Sequence, residues 1–260
     1  MGCVYKEAKM GSVLSLVTPL LLHMIASQCT AVVFGGHLDS TGCTTIAAMA
    51  VLPFGIWMRY KDNGNHFGLR SDCGYLASES GKRIWEKSTS KKEKCKNGVC
   101  EEGRGEKGVC ERAGQVVLAG ILCFAGGGLL NLLWSGIMNL IQIQNYFSNE
   151  TQKSLLASQM AWQILGLGVL VPFAEELVFR GLTYTRMKKF FPVKIAVFLS
   201  CVLFAVYHEN LIQIIYAFPM ALVITALYEW KKLFIYPVLF HMGANLTAVF
   251  LNFSLYNSCM

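Results

Sequence analysis

Two adjacent carboxylates and an arginine stand inside a long, mostly apolar stretch of this chain. Glu175, Glu176 and Arg180 fall within residues 161–182. On insertion scales each ionisable group at mid-membrane costs about 2.5–3.5 kcal/mol, so three of them this close need a chemical reason. Glu176 and Arg180 are spaced i,i+4 and can pair on one helical face. Glu175 points about 100° away from Glu176 and is left for contacts with other helices.

Further polar residues stand in two later apolar stretches. His208 ends one stretch, and His241 and Asn245 lie one turn apart inside another. The depth of each residue in the membrane can be estimated by counting residues from the nearest cluster of basic residues and multiplying by the rise per residue of an α-helix. By that count Glu175 and His208 lie about 21 Å deep, Asn245 about 20 Å and His241 about 14 Å. The sequence therefore predicts that these four side chains share one layer of a membrane.

Such a layer of carboxylate, imidazole and amide groups could activate water. A desolvated carboxylate next to a histidine can take a proton from water. An asparagine amide and an imidazole N–H on one helical face could donate to a developing oxyanion. A glutamate and two histidines would also suit a divalent metal such as zinc, with water in an open position. The H-E-x-x-H motif is lacking, so a zincin-like site is not supported.

Three ordered motifs resemble those of the CAAX-protease and bacteriocin-processing family of intramembrane endopeptidases, which includes the type II CAAX prenyl endopeptidases. They are Glu-Glu-x-x-x-Arg at 175–180, Phe-x-x-x-His at 204–208 and His-x-x-x-Asn at 241–245. The resemblance covers about 159–252. Each motif alone is weak, but three in order on separate apolar stretches are specific. No motif residue departs from the family pattern.

The resemblance implies a function and a role for each motif residue. The chain would be an intramembrane endopeptidase in which Glu175 and His208 activate the attacking water. His241 and Asn245 would stabilise the oxyanion. The remaining two motif residues would shape the site: Glu176 and Arg180. The substrate would be a peptide or protein, either a prenylated C-terminal peptide or a leader, pheromone or bacteriocin precursor. The motifs leave the cofactor unknown, with a divalent metal such as zinc still open.

The composition predicts an all-α polytopic membrane protein with lipid as its surroundings. Of 260 residues 54% are apolar and only 15% are charged, and the mean hydropathy is +0.44. A soluble domain carries about 25% charged residues. The net charge of +7 then bears on topology and anionic lipid headgroups, not on nucleic acid. Ten scattered cysteines, several in apolar stretches, are unlike a secreted disulfide framework.

The apolar stretches predict about seven transmembrane helices. They cover 13–34, 42–58 with an extension toward Tyr60, 115–143, 159–189, 193–207, 211–228 and 233–253. Between the second and third lies a polar loop with 13 Lys and Arg and 9 Asp and Glu, a composition that favours partial disorder. The chain then divides into a two-helix membrane segment, 1–58, the polar loop, 59–113, and a five-helix core with the motifs, 114–260.

The distribution of basic residues predicts the orientation. With the N-terminus in the cytosol and seven alternating spans, 21 of the 23 Lys and Arg residues fall on the cytosolic side. We therefore expect a multi-pass integral membrane protein with a cytosolic N-terminus and a cytosolic polar loop. In a bacterial cell its place would be the cell membrane.

Two other classes of function stay open from the residues alone. Glu175 and Glu176 could form a structural ion-pair cluster with Arg180, in a catalytically silent scaffold or immunity protein that binds a partner. A transporter could use midplane carboxylates to carry protons or cations. Transport would call for inverted repeats or paired broken helices, and the sequence shows one proline-interrupted span with charges and no counterpart. The endopeptidase is the leading hypothesis.

Overall fold

The structure, a computed structural model, describes residues 10–63, 104–142 and 154–258. Seven helices account for most of these ranges, and each coincides with one of the predicted apolar stretches. They are α1 (Met10–Phe34), α2 (Ser40–Asp62), α3 (Arg104–Leu140), α4 (Met160–Met187), α5 (Val193–Val206), α6 (Leu211–Lys231) and α7 (Ile235–Ser258).

Of the described helices, five are long and apolar enough to cross a membrane: α1, α2, α3, α4 and α6. Helix α5 is apolar but has 14 residues, fewer than the about 20 that an upright span needs. Helix α7 has 24 residues but carries His241, Asn245 and Asn252 in its interior. The prediction of an all-α polytopic membrane protein is confirmed. The cytosolic N-terminus stays a prediction.

The ends of the polar segment predicted over 59–113 are helical. Helix α2 continues to Asp62 and α3 begins at Arg104, whereas 64–103 lie outside the described residues. The extension of α2 has a physical cause, because its charged end is held by α4. Arg59 donates to the Gly181 carbonyl at 2.8 Å, and Asp62 pairs with Arg186 at 2.6 Å. The boundary predicted at 58/59 thus falls inside a helix.

Helix α4 lies at the centre of the bundle and is the most buried of the five long spans. The first two helices pack directly on it. A Cβ added at Gly55 of α2 would lie 2.8 Å from the Leu177 side chain, and one at Gly166 of α4 would lie 1.9 Å from Thr45 Oγ1. Glycine is needed at such close approaches of membrane helices. The N-terminal pair of helices is therefore packed against the helix that carries the carboxylates.

Helix α4 is not a regular α-helix. Two π-helical segments, Gln163–Leu170 and Leu177–Tyr184, flank the α-helical Val171–Glu176. The π-helix has i→i+5 hydrogen bonds, is rare and frequently occurs at functional sites. The wider turns leave Glu175 and Glu176 on a short regular segment between two irregular ones. The same irregularity leaves a backbone carbonyl available to a side chain from α7.

Glycines also join α3 to α7. A Cβ at Gly127 would lie 1.8 Å from the Phe240 carbonyl oxygen, and one at Gly243 would lie 2.0 Å from the Phe124 carbonyl oxygen. Both distances are to backbone, which cannot move aside as a flexible side chain can. The three consecutive glycines at 126–128 thus allow α3 to approach α7 closely. This approach brings Phe240, Gly243 and Ala244 of α7 against α3, whereas His241 and Asn245 contact α4.

The variant Gly127→Ala is expected to lower the unfolding free energy by about 1–3 kcal/mol, the usual cost of overpacking. The thermal stability of the detergent-solubilised protein would measure it. The matched control is Gly136→Ala on the same helix, where an added Cβ meets nothing within 4 Å. The control should keep or raise stability, since alanine favours a helix over glycine. Equal melting temperatures for the two variants would contradict the packing described for α3 and α7.

Candidate active site

A cavity of about 1470 Å³ opens inside the helix bundle. Its walls include Glu175 from α4, His208 from the turn after α5, and both His241 and Asn245 from α7. Residues predicted from three separate stretches therefore share one cavity. Typical small-molecule pockets measure about 300–1,000 Å³, so this one has room for a segment of peptide.

The two carboxylates of α4 have different surroundings. Glu175 lines the cavity and is 6% exposed, whereas Glu176 is fully buried. His241 lies between them. Its Nε2 is 3.7 Å from Glu175 Oε2, and its Nδ1 is 2.8 Å from Glu176 Oε1. Because a carboxylate accepts, His241 Nδ1 carries the hydrogen and Nε2 is the nitrogen that faces Glu175.

Arg180 holds Glu176 in place. Its Nη1 is 3.0 Å from Glu176 Oε1, which confirms the i,i+4 pair predicted from spacing. Its Nε donates to Thr225 Oγ1 at 3.3 Å and its Nη2 to the Ala221 carbonyl at 3.4 Å. The guanidinium also lies 4.3 Å from the centroid of the Phe204 ring. The fully buried Arg180 thereby fixes Glu176, and Glu176 in turn orients the His241 ring.

His208 presents one free nitrogen. Its Nδ1 is 2.9 Å from the Phe204 carbonyl oxygen, and because a carbonyl accepts, Nδ1 carries the hydrogen. The Nε2 lone pair is then the one available to a ligand. The ring packs edge-on against Phe204 and Tyr207, with centroids 5.0 and 5.6 Å apart. In the described chain the ion-pair partner of Glu175 is His241, so a link between Glu175 and His208 would need an intervening water molecule.

Asn245 compensates for a proline in α4. Its Nδ2 donates to the Leu167 carbonyl at 2.9 Å. In the π-helical segment the amide of residue 172 would bond this carbonyl, but Pro172 has no N–H. The amide of Val171 donates instead to the Gly166 carbonyl. The Asn245 side chain therefore satisfies a carbonyl that the proline leaves without its helical donor, and it retains a second N–H.

A buried histidine near the site lies outside the three motifs. His23 of α1 is 1% exposed and stacks on Tyr207 at 5.2 Å, and Tyr207 packs on His208. Neither ring nitrogen of His23 has a hydrogen-bond partner among the described residues. The signal in the sequence was a lone histidine in an apolar span that carries no Asp, Glu, Lys or Arg. The motif-based prediction missed it.

The donor set does not fit a metal centre. Within the described ranges no group of three His, Cys, Asp or Glu side chains is placed to hold a metal ion. A catalytic zinc needs three protein ligands. The hydrogen bonds of His241 to Glu176 and of His208 to a backbone carbonyl use Nδ1 and leave Nε2 of each ring open, so the missing third donor decides the question. The zinc alternative therefore finds no support in this arrangement.

The fold and the site together define a polytopic helical membrane protein with carboxylates and histidines facing a cavity between its helices. Residues 157–247 match the family described as type II CAAX prenyl endopeptidase Rce1-like. This part of the chain is thus an Rce1-like domain, which confirms the resemblance seen in the motifs. It contains all seven motif residues and excludes α1 to α3. Comparison with curated proteins and with solved structures gave no match.

The domain match supports a CAAX-type intramembrane protease in general, with a peptide or protein substrate and a membrane context. Together with the five apolar helices it indicates an integral membrane protein.

Proposed function

We propose that the chain is an intramembrane endopeptidase in which Glu175 and His208 activate a water molecule against a peptide bond. The observation that carries this proposal is the division between the two carboxylates. Glu176 is committed to Arg180 and His241, whereas Glu175 lines the cavity with a carboxylate that no arginine or lysine neutralises in the described chain. A buried carboxylate at a cavity wall suits a general base.

The water would lie between the Glu175 carboxylate and Nε2 of His208. Glu175 takes one proton as the water oxygen bonds to the carbonyl carbon of the substrate. The carbonyl oxygen becomes an oxyanion, and we assign its stabilisation to His241 and to Asn245, which has a second N–H to donate. Glu175 then gives its proton to the leaving amide nitrogen, and the C–N bond breaks. The products are a free amine and a carboxylic acid, so one water is consumed for each bond.

The substrate class we propose is a prenylated C-terminal peptide, which is the class that the description of the matching family names. The cavity suits a ligand with polar and apolar parts. Its wall combines Glu175 and the histidines with apolar side chains, among them Met24, Met138, Met220, Ile224 and Phe253. A leader or pheromone precursor is the competing substrate class, and identification of the cleaved termini separates the two.

Mass spectrometry of membrane peptides would test the proposal. Cells would express either the wild type or the double variant Glu175→Ala/His208→Ala, at matched protein levels. We expect new peptide termini with the wild type alone, because the double variant lacks both groups that contact water. Glu209→Gln is the matched control, since Glu209 also lines the cavity but is exposed, and its peptides should match those of the wild type. Identical profiles for all three proteins would favour the non-enzymatic scaffold or immunity protein.

A further inference from the structure

Helix α3 carries a polar stripe that the hydrolytic mechanism does not use. Asn131, Ser135 and Asn139 are spaced i,i+4,i+8, and all three line the cavity. The opposite face of the helix is apolar and exposed, as in a lipid-facing surface. Its members include Leu129, Leu133, Ile137 and Leu140. Helix α3 lies outside the Rce1-like domain, so the domain match assigns no role to this stripe.

The stripe runs from the interior of the cavity outwards. Asn131 is 3% exposed, Ser135 is half-buried and Asn139 is exposed. The innermost amide is held in orientation from two sides. Asn131 Nδ2 donates a short hydrogen bond to the hydroxyl of Tyr216, and Ser135 Oγ donates to Asn131 Oδ1 at 3.5 Å. Asn131 still has a second N–H and a second lone pair for a ligand.

The spacing of the stripe is close to the repeat of an extended peptide. Residues four apart on an α-helix are separated by about 6 Å along its axis. Backbone groups on the same edge of an extended chain recur about every 6.6–6.8 Å. A peptide drawn into a membrane cavity must satisfy its N–H and C=O groups there, because each one left unpaired is costly. Three amide and hydroxyl groups in register with the chain can supply those partners.

The charge of the cavity agrees with an uncharged ligand group at this wall. Among the described residues that line it there is no lysine or arginine, and the carboxylates are Glu175 and Glu209. A substrate carboxylate would therefore find no lysine or arginine among these residues. Neutral amides and hydroxyls match the main chain, which is itself neutral and carries donors and acceptors.

We propose that Asn131, Ser135 and Asn139 form a binding site for the main chain of an extended substrate peptide. This inference rests on the proposed function, since it concerns the substrate of the same site. The hydrogen bonds go to backbone groups and therefore do not select among substrate side chains. The stripe positions the peptide along the cavity wall, and the group that reacts with it stays on α4.

Binding of N-methylated peptides would test this site. The probe is a synthetic peptide whose fourth residue from the C-terminus is a farnesylated cysteine. It is made as a series in which each peptide carries one N-methyl group at a different backbone position. Its affinity would be measured with the Glu175→Gln protein, alone or combined with Ser135→Ala or Asn139→Leu. N-methylation removes one backbone donor. At a backbone position that the stripe contacts, the N-methyl group should weaken binding about three- to tenfold in the protein with the intact stripe. In the variant that lacks the contacting stripe residue, the same N-methyl group should weaken binding much less.

Leu133→Ala on the lipid-facing side is the matched control and should leave every affinity unchanged. No binding of the peptide, or N-methyl penalties that are the same with and without the stripe residues, would overturn the proposal. A merely structural role of the stripe would give additive losses. Failure of the proposed function gives a different result: the wild-type protein would bind this peptide but would not cleave it.

Discussion

The variant Glu175→Gln is expected to slow peptide hydrolysis by about 10²–10⁴-fold, the range that a positioned general base contributes. The amide keeps the shape of the side chain but cannot take a proton from water. Glu175 lines the cavity, and its ion-pair distance to His241 is 3.7 Å, so the fold loses little when its charge is removed. The turnover of a farnesylated peptide by purified protein would measure the effect, with the melting temperature recorded for each sample.

Glu176→Gln is the matched control one residue further along the same helix. Glu176 is fully buried between Arg180 and His241, so its neutralisation leaves a buried guanidinium without a counter-charge. We expect this variant to melt at a lower temperature and to lose less turnover per folded molecule than Glu175→Gln. If Glu175→Gln stayed active while Glu176→Gln folded but lost activity, Glu176 would be the general base and Glu175 the structural carboxylate.

The seven helices and the Glu176–Arg180 pair were predictable because the signals behind them are local. Hydropathy over about 20 residues identifies a span, and i,i+4 spacing places two side chains on one face. The common layer predicted for Glu175, His208, His241 and Asn245 came from depth, which depends on the helical rise alone. Those features need no knowledge of how the helices rotate against each other.

The partners of these side chains were not predictable, because they depend on rotation and on irregular backbone. Spacing gave no reason for His241 to contact both Glu175 and Glu176, since that depends on how α7 is turned towards α4. The bond from Asn245 to the Leu167 carbonyl requires the π-helical segment ahead of Pro172. A regular α-helix would contain no such segment. Sequence patterns with a period of 3.6 residues do not report such a segment.

Ion pairs between distant parts of the chain explain the other differences. The second apolar stretch predicted a helix over 42–58, extended toward Tyr60, and α2 continues to Asp62. The charged residues at the end of α2 contact Arg186 and the Gly181 carbonyl, which lie more than a hundred residues away in sequence. These tertiary contacts therefore support the last turn of α2.

Removal of the Arg180 side chain should have the largest effect on stability. In Arg180→Met the methionine keeps much of the apolar volume but leaves the fully buried Glu176 carboxylate without its guanidinium. Breaking a buried pair by removing one partner costs about 3–5 kcal/mol, because the remaining charge is uncompensated. The hydrogen bonds to Thr225 and Ala221 and the contact with the Phe204 ring are lost as well. Unfolding in mixed detergent micelles would measure the free energy.

A second substitution separates the loss of charge balance from the loss of packing. In Arg180→Met/Glu176→Gln the carboxylate is neutral, and the glutamine oxygen can still accept from His241 Nδ1. The double variant should therefore unfold with a smaller loss than the two single variants added together, because neither charge is left alone. Losses that simply add would mean that Arg180 stabilises the bundle by packing against Phe204, and the orientation of His241 would then not depend on the ion pair.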